Sequence, residues 1–260
     1  MKRFFEYIGL VAIILVSFYY TNKVALLIQS NNPLMQSIKE AATKIGVQYV
    51  NAEITDNYIV PGLNGLEVNI EKSFTGMKSV GVFNEHHLIF NETKPEISLA
   101  SNKDKIITGG NKNKNAVAFI INNNENVKNY FLVHNIPAAL MTNINSYRNE
   151  NFELLNGEVT KDGFSNMESL LNKDKKNVHI CLINDRNKDI CLKNKKYLVK
   201  ESMTLTLNNL INIRTNINSG AIILITGNAK TEDVNVLIRQ IRFQGLKILP
   251  LSKLISEKAK

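Results

Sequence analysis

Chemistry in this 260-residue chain would fall to few side chains: four histidines, two cysteines and a few acids beside strand-like runs. The apolar stretch "NAVAFIINNNEN" (115–126) reads as a core strand that emerges into Asn122, Asn123 and Asn124, followed by Glu125. An amide both donates and accepts hydrogen bonds, so these asparagines suit sugar hydroxyls, but an amide cannot act as a general base. Glu125, Asp185 after the third strand candidate, and Asn228 in "ILITGN" complete the candidate ligand-binding set. Glu125 reads equally as an acid in the first turn of the next helix, and Asp185 as part of the polar loop "NDRNKD".

The histidines read as structural. His86 and His87 are adjacent in a strand-like piece, which would point them to opposite faces. His134 precedes the turn Asn135-Ile136-Pro137, at a helix end where a cation is mildly favourable. His179 alternates with Val178 and Ile180 in a strand candidate. Two cysteines are too few for a disulfide scaffold. With Cys181 in an apparent core strand, a Cys181–Cys191 bridge is open in an oxidising setting but not favoured.

The elements that would position these groups follow from patterning. Apolar runs at 116–121, 137–142, 178–183, 196–200, 221–226 and 246–251 alternate with helical patterns. The clearest helix is 231–243, where Val234, Leu237, Ile238 and Ile241 share one face, Thr231 is placed as N-cap and Gly245 as stop. Continuous apolar strands between amphipathic helices imply an α/β fold, a mainly parallel sheet or barrel. Residues 51–112 read as a small β-rich segment, with Pro61-Gly62 and Asn64-Gly65 turns and alternation at Leu66, Val68 and Ile70. Before it, Leu34, Ile38, Ala41, Ala42 and Ile45 fall at helical intervals in a linker, residues 29–50.

The run Tyr7–Tyr20, after Lys2 and Arg3, is apolar or aromatic throughout and predicts a membrane anchor within residues 1–28. A signal peptide is the alternative, but no small-x-small cleavage pattern follows the run. With the basic end cytoplasmic, the expectation is a single-pass cell-membrane protein whose main domain is extracytoplasmic. The net charge of +9 sits in solvated loop clusters without interleaved aromatics, which excludes a stacking nucleic-acid surface.

Taken in order, several pieces resemble the polysaccharide deacetylases of the NodB-homology type, whose fold is a deformed (β/α) barrel. The carriers are "NAVAFIINNN", "VKNYFLVHNIPAALMTN" and the closing "NSGAIILITGN…VLIRQIRFQGLKILPLSKLI", where Gly220, Gly245, Lys247, Leu251, Ser252 and Leu254 match the family's shape. The segment before them, through Pro61, Gly62, Asn64, Gly65, Val68, Met77, Gly81, Pro95, Ser98, Leu99, Lys105 and Ile106, is similar to one seen in membrane-attached Gram-positive members. The resemblance covers roughly residues 51–257 and makes 113–260 the deacetylase-like domain.

What it implies about chemistry is a divalent metal such as zinc, an aspartate base after the first strand, a His-x-x-x-His pair and a late histidine acid. Here Ile121-Asn122-Asn123-Asn124 stands where members resemble Phe-Asp-Asp-Gly, and no His-x-x-x-His occurs. Asn143–Asn177 contains no histidine, and Thr226-Gly227-Asn228 carries none. The expectation is therefore a catalytically degenerate deacetylase-like protein that binds envelope polysaccharide, with no catalytic residue, metal ligand or cofactor. The alternative is an active metal-dependent carbohydrate N-deacetylase built from Glu125, Asp185 or His179; a structural envelope scaffold with no ligand is a third reading.

Overall fold

The computed structural model describes residues 11–21, 23, 31–148 and 151–258. Residues 11–21 are helical and every one is exposed. Among the described residues no helix is long and apolar enough to cross a membrane. The expected N-terminal membrane helix and single-pass cell-membrane location are thereby overturned; Tyr7 to Leu10 of the run lie outside the described residues.

The chain divides into two units, Met1–Gln48 with Gly65–Thr93, and Tyr49–Asn64 with Lys94–Lys260. In the first, helix α1 (Pro33–Ile45) starts at Asn32, whose side chain accepts from the Leu34 N–H, with Pro33 supplying a pre-set φ. Its Leu34, Met35 and Ile38 pack with Phe74 and Met77 of α2 (Ile70–Met77) and with Leu88. Strands β3 (Gly65–Val68) and β4 (Phe90–Thr93) pair antiparallel beside them. His86 and His87 lie in a 3₁₀ turn, Glu85–His87, and are exposed, not in a strand as their surroundings suggest.

The second unit is mixed α/β. One sheet runs in the order β1 (Glu53–Thr55), β2 (Tyr58–Val60), β5 (Ile106–Ile107), β10 (Tyr197–Val199), β9 (Ile180–Leu182), parallel except for β1–β2. The other runs β11 (Met203–Leu205), β12 (Ile222–Ile225), β6 (Ala116–Asn122), β7 (Ala139–Thr142), β8 (Glu153–Asn156), all parallel, and β13 (Lys247–Ile248) pairs with the start of β6. A single bridge, Leu154 to Asn177, reaches from β8 toward the first sheet. The strands fall into two sheets, a mixed α/β arrangement whose ladders do not confirm the expected deformed barrel.

Strand β6 shows why its sequence is apolar without a break. Val117, Phe119 and Ile121 point into a cluster with Val127 and Phe131 of α3 (Glu125–Val133), Met167 of α4 (Lys161–Lys173), Ile213 of α6 (Leu210–Asn216) and Leu237 of α7 (Thr231–Phe243). Ala116, Ala118 and Ile120 face the other way, onto Ile107, Ile180, Val199 and Leu251 of α8 (Leu251–Ile255). Period-two alternation between two buried faces demands apolar residues at every position. Helix α7 buries Val234, Leu237, Ile238 and Ile241 as its spacing predicts, although Lys230, not Thr231, occupies the N-cap position. Gly220 sits at φ +90°, and a Cβ there would lie 2.3 Å from the Gly110 carbonyl oxygen, so only glycine fits this crossing. Cys181 of β9 and Cys191 of α5 (Lys188–Lys193) are joined as a disulfide, with Cα atoms 6.1 Å apart, the bridge that the sequence left open without favouring it.

Candidate functional site

The C-terminal ends of β6, β7 and β8 open onto a cleft of about 430 Å³. Its floor is apolar, with Ile121, Leu140, Met141 and Leu154; its walls are amides, hydroxyls and two cations, among them Asn122, Asn123, Asn143, Ser146, Lys128 and Arg148. Each asparagine of the 122–124 run has a different role. Asn122 ends β6 opposite Met141 and is exposed. Asn123 takes the left-handed conformation at φ +49°, which asparagine tolerates better than most residues. That turn brings its carbonyl oxygen to 2.7 Å from where a Cβ on Gly227 would stand, which is why a glycine follows Thr226.

Asn124 is buried, and its side chain is fully engaged. Its Oδ1 accepts from the Val127 N–H at 3.1 Å, capping α3. Its Nδ2 donates to the carbonyls of Thr226 at 3.0 Å and Ala229 at 2.9 Å, which ties the β6–α3 turn to the β12–α7 loop. Glu125 follows in the first helical turn, exposed and paired with Lys128 Nζ at 2.6 Å. The cleft thus gathers Asn122, Asn123, Asn124 and Glu125.

Asp185 and Asn228 are not among its lining residues. Asp185 is exposed in the turn after β9, where Asn184 lines the cleft instead. That turn is held by Asn187, buried, whose side chain accepts from the Asn184 N–H at 2.8 Å and donates to the Leu182 carbonyl at 3.0 Å. Asn228 accepts from the Thr226 hydroxyl at 2.5 Å. His179 is exposed at φ +56° just before β9, whereas Asp185 follows it, so about 10 Å of extended strand lies between them. His134 caps the end of α3 with its ring 4.4 Å from that of Tyr130.

Sequence reasoning does not single out Asn143, Ser146 and Arg148. The available signal is the polar stretch "TNINSYR" leaving β7 at the same edge as the asparagines leaving β6. Asn143 and Ser146 close this loop on itself, the Ser146 N–H donating to Asn143 Oδ1 at 2.9 Å. Tyr147 anchors it by donating its hydroxyl proton to the Asp174 carboxylate. Burial and that hydrogen bond push the Tyr147 phenol up to about 12. A phenol that keeps its proton longer when folded stabilises the fold below pH 10, and loses that contribution between pH 10 and 12. Comparing wild type with Tyr147→Phe by denaturant unfolding is expected to show a difference that is constant up to pH 10 and shrinks above it; a difference that grows above pH 10 would contradict the pairing.

Among the described residues no cluster of three or more His, Cys, Asp or Glu side chains stands ready to hold a metal. Among the described residues that line the cleft, the available donors are neutral amides, hydroxyls and one carboxylate, Glu125, already paired with Lys128. Amide oxygens are weak ligands for zinc, which favours imidazole, thiolate and free carboxylate. The residues present do not fit the metal that the resemblance implies.

The fold is that of the carbohydrate esterase 4 group, the NodB-type polysaccharide deacetylases. No protein-family profile matches the chain. Its structure is similar to that of BA3943 of Bacillus anthracis, a CE4 family pseudoenzyme, at a TM-score of 0.60 and 20% identity, over 86% of this chain and 95% of that one. A BA3943 mutant described as having restored enzymatic activity matches at a TM-score of 0.58 and 19% identity, over 86% of this chain and 98% of that one. In sequence, it is similar to YlxY of Bacillus subtilis (strain 168), an uncharacterised protein, at 35% identity over 141 residues. That alignment covers 52% of this chain, which spans under half, 44%, of the length of that relative.

Proposed function

We propose that this chain is a catalytically degenerate polysaccharide deacetylase-like protein whose cleft binds a cell-envelope glycan without hydrolysing it. The observation that carries this reading is the cleft's composition: Asn122 and Asn123 at the strand end where the resemblance implies carboxylates, over an apolar floor that suits the faces of sugar rings. Amides and hydroxyls pair with sugar hydroxyls as donors and acceptors alike. The name given to BA3943, a pseudoenzyme on the same fold, supports it.

Binding is tested by titrating the folded chain with a soluble oligomer of N-acetylglucosamine in a calorimeter. Asn123→Ala and Asn143→Ala are each expected to weaken binding by about tenfold, the loss of one or two ligand hydrogen bonds at about 1.4 kcal/mol per tenfold. Equal affinity in wild type and both variants would move the ligand away from this cleft.

A further inference from the structure

A second pocket, of about 350 Å³, lies at the opposite ends of the strands from the cleft, where β9 and β10 begin and α8 ends. It has the size of a small-molecule site, about 300–1,000 Å³. Unlike the cleft, its walls are mainly apolar: Leu99, Ile180, Tyr197 and Ile255 form them. Lys94 and Lys258 stand among its lining residues, both exposed, and neither is in an ion pair among the described residues. A third cation, Lys103, lies with Nζ 6.0 Å from the centre of the Tyr197 ring.

One carboxylate lines the same space, and it is already engaged. Glu257 Oε1 accepts from the Leu99 N–H at 2.7 Å and the Gly62 N–H at 3.3 Å. Its charge also acts on Lys114, whose ammonium donates to the carbonyls of Lys253 and Ser256 at the end of α8. The acid therefore pins the chain's C-terminal stretch, while the lysines at the pocket face solvent with no acid paired to them among the described residues. An apolar chamber with ammonium groups at its edge is complementary to a molecule with an apolar body and an anionic head.

We propose that this pocket binds a small amphipathic anion, such as a medium-chain carboxylate, its chain against Leu99, Ile180, Tyr197 and Ile255 and its head at Lys94 and Lys258. The glycan cleft takes no part in it, so the two sites stand or fall separately. The side chains of Lys94 and Lys258 are exposed, so reversing their charge leaves the fold intact.

The test is calorimetric titration of the full chain with decanoate. Lys94→Glu combined with Lys258→Glu is expected to weaken binding at least about tenfold. Ala100→Phe, which places a ring in the pocket from its rim, is expected to abolish it. A control pair, Lys161→Glu with Lys247→Glu, changes net charge equally at positions that do not line the pocket and is expected to leave affinity within about twofold. Unchanged affinity in both pocket variants, an equal loss in the control pair, or no binding of decanoate to wild type would each overturn the proposal.

Discussion

Replacing Lys196 by alanine is expected to cost about 3–5 kcal/mol of stability, the range for removing one partner of a buried ion pair. Lys196 is 4% exposed, at the entry to β10. Its ammonium pairs with Glu168 of α4 and donates to Asn177 Oδ1 at 2.7 Å. The same Glu168 carboxylate accepts from Asn156 at the end of β8 at 3.0 Å and from Asn177 at 2.8 Å. Asn177 in turn donates to Asn172 Oδ1 at 2.8 Å. This network ties α4, β8 and the lead into β9 and β10 together by polar contacts in an otherwise apolar layer. Alanine would strand the Glu168 charge among amides, whose donors do not match an ammonium. Lys196→Met with Glu168→Leu removes both charges and is expected to recover more than half of the loss. Urea unfolding of the single and double variants measures both; a single-variant loss below about 1 kcal/mol would show that the pair is wetter than its burial indicates.

The second large effect falls on the asparagine run itself. Asn124→Ala removes the α3 cap, a loss of about 1 kcal/mol. It also leaves the Thr226 and Ala229 carbonyls without their donor, at about 1–3 kcal/mol each when buried. The sum, about 3 kcal/mol or more, should appear as a lowered urea midpoint at unchanged slope. Asn124→Asp separates the two contributions. It keeps an acceptor for Val127 but sets a carboxylate against two carbonyl oxygens, so it is expected to be at least as destabilising as alanine. If Asn124→Asp were neutral, the amide would not be the clamp between the two loops. The clamp accounts for one amide in the run independently of any ligand: Asn124 holds the mouth of the cleft, while Asn122 and Asn123 remain open to it.

Much of the second unit is legible in the sequence because its strands are buried on both faces. β6, β7, β9, β10 and β12 all overlap the apolar runs, and α7 matches its periodic pattern. β8 and β11 escape such a reading because their apolar pairs, Leu154-Leu155 and Met203 with Leu205, are too short to set a period and lie at sheet edges. The run 246–251 reads as one strand, but Pro250 ends it, and Leu251 begins a helix. For the site, adjacency in sequence suffices for Asn122 to Glu125. Asn143, Ser146, Arg148 and Asn184 join them only through strand order, which no local pattern carries. Asp185 misses the cleft by one residue: the turn capped by Asn187 presents its neighbour instead. The expected membrane anchor is not borne out: among the described residues no helix is long and apolar enough to cross a membrane, although the run Tyr7–Tyr20 is apolar or aromatic in composition.

The central claim, a deacetylase fold that holds a glycan but does not cleave its acetyl groups, is tested most directly by acetate release. Purified chain, shown to be folded by circular dichroism, is incubated with an N-acetylglucosamine polymer, with and without added zinc or cobalt. The account predicts no acetate above the protein-free control in either condition. Metal-dependent release that disappears in Asn122→Ala or Asn123→Ala would contradict it and show that this cleft hydrolyses what it binds.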